Sequence, residues 1–402
     1  MNLIPKGYKH SPFGHIPQEW DVKELCAIAK IKRGRFSPRP RNDPRFYGGR
    51  IPFVQTSDVS LSNGHISTYN QTLNEEGLKV SLLFPKGTIL MTIASNIGHC
   101  AIIDIDMACP DSLVGIICEQ SVDREFLNYF LQHIRQRLEY IAPGAQKNIN
   151  VEFLNSLSIL KPPLTEQTKI AAALNLMDEI CNLNTQLIEK KELQKKAVKQ
   201  QLLTGKKRLK GFTQAWSIVH LGDLFKERNE IGFEKLPLLS IGSNGIYPQT
   251  ESTKIDTSNE NKSKYRRICK GDIGYNTMRM WQGRSALSSL EGIISPAYTV
   301  LTPKSGTNAL YFSYMFKTDT LIHKFFRNSQ GLVNDTLNCK FKDFASIKVS
   351  VPTYEEQSAI ANVLQAADVE IQLLKNKADK LKDQKKAMMQ LLLTGKKRLK
   401  ID

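Results

Sequence analysis

The last fifty residues before position 400 repeat a segment that lies 190 residues earlier. Setting Lys161–Lys210 on Val351–Lys400 needs no gap and gives 23 identities in 50 positions. The final nine pairs, Leu202–Lys210 on Leu392–Lys400, are all identical and read LLTGKKRLK. Ordinary residue frequencies would give about three matches by chance. A duplication constrains the fold more than any local propensity, because what one copy builds the other builds again.

The likeness extends to where each copy starts. Trp20-Asp-Val-Lys-Glu-Leu25 resembles Trp216-Ser-Ile-Val-His-Leu221, and Lys86-Gly-Thr-Ile89 resembles Lys270-Gly-Asp-Ile273. Between Gly34 and Gly144 in one copy, and Gly232 and Gly331 in the other, the likeness is lost. Shared ends with unlike middles suit one common task and two separate ones. The chain divides accordingly into 1–160, 161–210, 211–350 and 351–402.

The repeated segments read as helices. Pro162-Pro163 and Pro352 stand at their approach, and Gly205 and Gly395 follow their last apolar residues. Positions Ile360, Leu364, Ala367, Ile371, Leu374, Ala378, Leu381, Lys385, Met388 and Leu392 alternate four and three apart, as a heptad seam does. The first copy keeps the same register through Ile170, Leu174, Met177, Cys181, Asn184, Ile188, Lys191, Lys195, Val198 and Leu202. Ile360 to Leu392 spans about 50 Å at 1.5 Å per residue. Equal length and register favour pairing of the two helices in one intramolecular coiled coil. Asn184 and the seam lysines weaken that seam and restrict it to one partner.

The middles are α+β in flavour. Short β-type runs recur at Ile51–Val54, Thr88–Ile93, Leu113–Ile117, Leu236–Leu239 and Tyr298–Leu301, punctuated by Gly, Pro, Asn and Ser. Each middle is expected to end in one helix. The first is marked by Phe126, Phe130, Ile134 and Leu138 behind an Asp123 cap, the second by Tyr311, Met315 and Phe325-Phe326.

Charge narrows the partner. The chain of 402 residues carries 56 Lys+Arg against 39 Asp+Glu, a formal +17, which favours polyanions. The densest cations are Arg33, Arg35, Arg39, Arg41 and Arg45, extended by Arg50, in a Pro- and Gly-rich loop suited to phosphate contact and guanine reading. Arg266, Arg267 and the turn holding Arg279, Trp281, Gln282 and Arg284 are the second group. Trp281 reads equally as a plate for bases or as core. Seven cysteines with no C-x-x-C, and no His spacing for zinc, read as buried thiols in a reducing compartment. No signal peptide or membrane-length apolar run is seen, so a cytoplasmic location is expected. No phosphate-binding loop, H-E-x-x-H, Asp/Asn-Pro-Pro-aromatic or G-x-S-x-G string is present, and no catalytic residue, metal ligand or cofactor is expected on this chain.

Pro-Pro-Leu-Thr-Glu-Gln-Thr-Lys-Ile-Ala (162–171) and Pro-Thr-Tyr-Glu-Glu-Gln-Ser-Ala-Ile-Ala (352–361) are similar to the P-x-x-E-Q-x-x-I-A signature of Type I restriction-modification specificity subunits. The LLTGKKRL strings, Ile16-Pro-Gln-Glu-Trp20 and Ile294-Ser-Pro-Ala-Tyr298 extend the resemblance over essentially the whole chain. It implies two target recognition domains, each reading one half of a split DNA site, held apart by antiparallel helices in a pseudo-twofold arrangement. It implies as partners two methyltransferase subunits using S-adenosylmethionine on adenine, and two restriction subunits using ATP and Mg2+. It also places DNA contacts in variable loops, carried here onto Ser95, Asn96 and His99, onto Gln146, Lys147 and Asn148, and onto Arg279, Gln282 and Arg284. Cys109-Pro110-Asp111 departs from the polar pair expected at that turn. The LLTGKKRLK strings are expected to serve the scaffold rather than base reading. A coiled-coil adaptor binding RNA or an acidic partner without sequence specificity stays open, as does a nuclease with an unrecognised site.

Overall fold

The computed structural model describes residues 4–94, 96–141, 149–242, 245–251, 260–331 and 337–399. The chain folds as two compact units. One comprises Met1–Thr185 with Asn376–Asp402, the other Gln186–Lys375. Each unit thus contains one middle, the start of the helix that follows it, and the end of the other long helix.

In the first unit a five-stranded sheet places Leu113–Cys118 between Ala29–Arg33 and Ile89–Thr92, followed by Cys100–Ile103 and His65–Ile66. All but the last pairing are antiparallel. A four-stranded sheet runs Gln71–Leu73, Tyr47–Phe53, Met107–Cys109, Leu82–Phe84. The central strands Ile89–Thr92, Cys100–Ile103 and Met107–Cys109 are buried along their whole length, which explains why they read as continuous rather than alternating apolar runs. Helix α1, Arg124–Ile141, starts as expected: the Asp123 carboxylate accepts from the N–H groups of Glu125 (2.9 Å) and Phe126 (3.1 Å). Phe126, Phe130 and Leu138 sit in the core.

His65 clips this helix to the sheet. Its Nδ1 lies 3.0 Å from Asp104 and its Nε2 3.1 Å from Glu125 of α1. The hydrogen bond to Glu125, reinforced by Asp104 and opposed by burial, raises the imidazole to about 9. A raised folded-state value stabilises fully below the ordinary value near 6.5 and loses that contribution as pH climbs through about 9. The ring is 44% exposed, so screening holds the effect to about 1 kcal/mol or less. Raising pH from 6.5 to 9.5 is therefore expected to lower the wild-type unfolding midpoint by a few degrees more than that of His65→Gln. Parallel pH curves for the two proteins in scanning calorimetry would remove this role.

The second unit has a four-stranded antiparallel sheet ordered Phe225–Glu227, Tyr298–Pro303, Ile273–Asn276, Ser285–Leu287. The strand expected at Leu236–Leu239 begins only at Leu239, because the Leu236 N–H closes a turn on the Phe233 carbonyl at 3.0 Å and Pro237 has no N–H to pair; Leu238 makes only an isolated parallel bridge to Ile293. The single helix expected here is two, Ala309–Met315 and Asp319–Arg327. The break comes at Phe316–Thr318, where the Thr318 hydroxyl donates to the Met315 carbonyl at 2.7 Å and Thr318 takes an extended backbone. Tyr311, Met315 and Phe325 are buried, whereas Phe326 is 41% exposed.

The repeated segments form helices α2, Leu164–Leu203, and α3, Tyr354–Leu392. All twenty seam positions are buried or partly buried, while Leu176, Ile180, Leu183 and Leu187 face outward. The helices pair antiparallel. In the second unit Lys191 meets Glu370, Lys195 meets Asp368 and Glu192 meets Lys375. In the first, Asp178 meets Lys385. Seam lysines are thus satisfied by carboxylates of the opposite helix.

The duplication repeats contact by contact, with the offset of 190 in the helices and tails and 185 for the partners in the middles. Asp178 accepts from Tyr129 as Asp368 accepts from Tyr314. The Gln167 amide oxygen accepts from the Asp123 N–H and its nitrogen donates to the Pro162 carbonyl. Gln357 does the same with Asn308 and Pro352. Glu166, fully buried, receives both arms of Arg398, and Glu356 receives those of Arg208. The Glu-Gln pair of the repeated signature is therefore a helix anchor, and the arginine of LLTGKKRLK is its counter-ion. Gly205 and Gly395 turn each tail at φ +71° and +69°; a Cβ on Gly395 would also lie 2.4 Å from Pro17.

Candidate nucleic-acid interface

The basic loop of the first unit is braced against the unit itself. Arg33 Nε donates to the Asp111 carbonyl at 2.7 Å, and Arg41 meets the Asp111 carboxylate at 2.7 Å, with Arg39 at 3.9 Å. Asp111, which departs from the polar pair expected there, is thus the hub that three arginines share. Arg39 also donates to the carbonyls of Phe36, Ser37 and Pro38. Arg35 donates to those of Lys79 and Ser81. Arg45 forks onto Asp43 and holds that carboxyl below its usual range.

This loop forms one side of an open cleft of about 790 Å³. One wall is Arg41, Asn42, Pro44, Tyr47 and Gly48. The other comes from the start of the short helix Thr56–Leu61 and from Asn70–Thr72. Gln55 Nε2 donates to Gln71 Oε1 at 2.9 Å, and the Gln55 N–H donates to Asp58 at 2.8 Å. Asn70 donates to the other oxygen of Asp58 at 3.2 Å. Among the described residues no carboxylate lines the cleft, and Asp58 lies beside it. Its amides were not singled out from sequence, where scattered Gln and Asn carry no signal until the strand pairing brings them together.

Of the loop residues expected to touch DNA in this unit, Asn96 is exposed at φ 47°. The His99 ring is capped by Arg135 of α1, 2.7 Å from Nε2. Ser95, Gln146, Lys147 and Asn148 lie outside the described residues.

The second unit has a smaller cleft, about 240 Å³, lined by Ile241, Gly242, Asn276, Arg279, Arg284 and Tyr298. A tight turn brings the two arginines together. The Gln282 N–H bonds to the Arg279 carbonyl at 3.0 Å, Gly283 takes φ +72°, and the Arg284 N–H returns to the Arg279 carbonyl at 3.3 Å. Arg279, Gln282 and Arg284 are exposed, and neither arginine meets a carboxylate among the described residues. Trp281 is half-buried edge-on against Phe326, and its indole N–H donates to the Met278 carbonyl at 3.0 Å. Arg266 and Arg267 stand apart from this turn, paired with Glu227 and with Glu230 and Glu291. Among the described residues no cluster of His, Cys, Asp and Glu could hold a metal ion, and no helix is long and apolar enough to cross a membrane.

Two clefts of unlike lining thus stand on one duplicated frame. The Type I restriction modification DNA specificity domain matches this chain twice, over residues 17–193 and 213–383, and the chain belongs to that family of specificity subunits. It is 27% identical to the protein named MjaX specificity subunit of Methanocaldococcus jannaschii, over 98% of this chain and 97% of that one. To the MjaVIII specificity subunit of the same organism it is 24% identical, over 100% and 99%. The fold is that of the S subunit from M. genitalium, with a TM-score of 0.56, 15% identity and coverage of 95% and 97%. It is also that of the HsdS subunit from Thermoanaerobacter tengcongensis, with a TM-score of 0.54, 17% identity and coverage of 96% and 99%.

Proposed function

We propose that this specificity subunit reads a split, non-palindromic DNA site, one half with each unit, and that the paired helices set the spacer between the halves. The observation that carries the reading is the contact-by-contact repetition of the helix anchors beside two clefts of different chemistry. A common frame with unlike readers suits two half-sites that differ from each other. The guanidiniums of Arg279 and Arg284, which meet no carboxylate among the described residues, fit bidentate reading of guanine in the second half-site. In the first unit, by contrast, the arginines position the loop and contribute positive potential along the phosphates.

The chain itself carries no catalytic role in this proposal. Two methyltransferase subunits bring S-adenosylmethionine and modify adenine, and restriction subunits bring ATP and Mg2+, in the cytoplasm. The outward stripe of Leu176, Ile180 and Leu183 on α2 in the first unit, spaced four and three apart, suits an amphipathic partner helix.

Methylome sequencing of cells carrying the locus tests the reading. A split adenine motif is expected that disappears when the gene is deleted. Arg279→Ala with Arg284→Ala is expected to relax one half of that motif by ten- to a hundred-fold in discrimination and leave the other half intact. Sequence-blind, salt-sensitive binding with no motif would instead support an adaptor for RNA or acidic partners.

A further inference from the structure

The arginine-rich loop draws attention first in the first unit, yet its guanidiniums are already engaged by Asp111, Asp43 and backbone carbonyls. The groups with spare hydrogen-bonding capacity are the amides across the cleft. Gln55 and Gln71 are held to each other at 2.9 Å, on two segments fixed by different elements. Gln55 is fixed by its own backbone bond to Asp58, and Gln71 by pairing with Phe53 in the sheet. Their mutual bond uses one hydrogen of Gln55 and one lone-pair direction of Gln71. The Gln55 oxygen faces the Asp58 N–H in a capping box and keeps its second lone-pair direction to accept, and both hydrogens of the Gln71 nitrogen remain to donate. An acceptor beside a donor is the complement of the adenine edge in the major groove, where N6–H donates and N7 accepts. Guanine offers two acceptors there and fits the pair less well.

We propose that the Gln55–Gln71 pair is a specificity-determining element of the first unit and reads an adenine edge in its half-site. One strand's sugar–phosphate ridge lies in the cleft beside Arg41 and Ser57, and the wall bearing the two glutamines enters the adjoining major groove. The cleft's described lining has no carboxylate, and the adjacent Asp43 and Asp58 are held by Arg45 and by Gln55 with Asn70, which limits charge repulsion of a phosphate ridge. The hydrogen bond between the amides makes the element pre-organised, so little side-chain freedom is lost on binding. This inference rests on the reading of the chain as a split-site DNA reader.

The test compares methylomes of cells carrying the locus with the wild-type chain, Gln71→Ala, Gln55→Ala and Gln71→Glu. Both alanine variants are expected to relax one A·T position of one half-site by roughly ten- to a hundred-fold, with the other half and the spacer unchanged. Gln71 is exposed, so its variants have no core to disturb. Gln71→Glu replaces donors by acceptors and is expected to move preference at that position towards cytosine, whose N4 donates. A shift of preference is an effect that misfolding cannot mimic. If the wild type yields a split motif and all three variants keep it with undiminished discrimination, the inference is overturned while the split-site reading stands. Uniform weakening of both half-sites would also overturn it, by showing a structural role. A wild type with no split motif overturns the parent reading and this inference with it.

Discussion

Arg398→Ala is expected to destabilise the first unit by about 3 kcal/mol, because it removes the counter-ion of a fully buried carboxylate. Arg398 approaches Glu166 with Nε at 3.0 Å and a second nitrogen at 2.9 Å. Among the described residues only the Trp20 indole N–H, at 3.0 Å, would remain to satisfy the Glu166 carboxylate. An uncompensated buried charge costs about 3–5 kcal/mol, and the surviving bond places this case at the lower end. For a unit of about 200 residues that corresponds to a fall of roughly 6–12 °C in unfolding midpoint. Glu166→Gln in the same chain is expected to recover part of the loss, since a neutral amide tolerates burial better than an orphaned carboxylate. Scanning calorimetry of the wild type and the two variants decides the matter. A single-variant shift under 2 °C would show that water or another cation reaches Glu166.

The second large effect concerns the helices. Removing residues 184–190 from α2 and 374–380 from α3 deletes one heptad from each and keeps both seams in phase. Each helix loses about 10 Å. At 3.4 Å per base pair this predicts a methylation motif whose spacer is about two to three base pairs shorter, with both half-sites unchanged. The lower figure applies if the helices are inclined to the duplex. The terminal anchors Glu166–Arg398 and Glu356–Arg208 lie outside the deleted segments, so each unit keeps its frame. A motif with its original spacer would refute the idea that the helices measure it.

How much of this was readable beforehand differs between frame and clefts. Ile170, Leu174, Met177, Ile188 and Leu202, with Ile360, Leu364, Ile371, Leu374, Leu381, Met388 and Leu392, all fall on the buried or partly buried face of their helices. A heptad seam is a one-dimensional pattern, and duplication lets each copy check the other. The Asp123 cap was legible for the same reason, since its partners are two and three residues away. The break at Phe316–Thr318 was not, because apolar spacing continues across it and only local backbone bonding interrupts the helix.

Charge density along the chain was a poorer guide to the reading surface. It marked Arg33, Arg35, Arg39, Arg41 and Arg45 as one basic patch, but it could not show that Asp111, some seventy residues away, gathers three of them. Nor could it distinguish Arg266 and Arg267, matched by three glutamates, from Arg279 and Arg284, matched by none among the described residues.

By itself the amino-acid sequence determined the duplication, the helix register, the family and the separation into shared ends and unlike middles, all of which are periodic or repeated patterns. Tertiary structure alone decided which cations are spent on bracing and which face outward, and it alone brought Gln55 and Gln71 together. The physical reason is that electrostatic and hydrogen-bonding pairs form between residues far apart in the chain. Their availability for a ligand depends on geometry that no local spacing encodes.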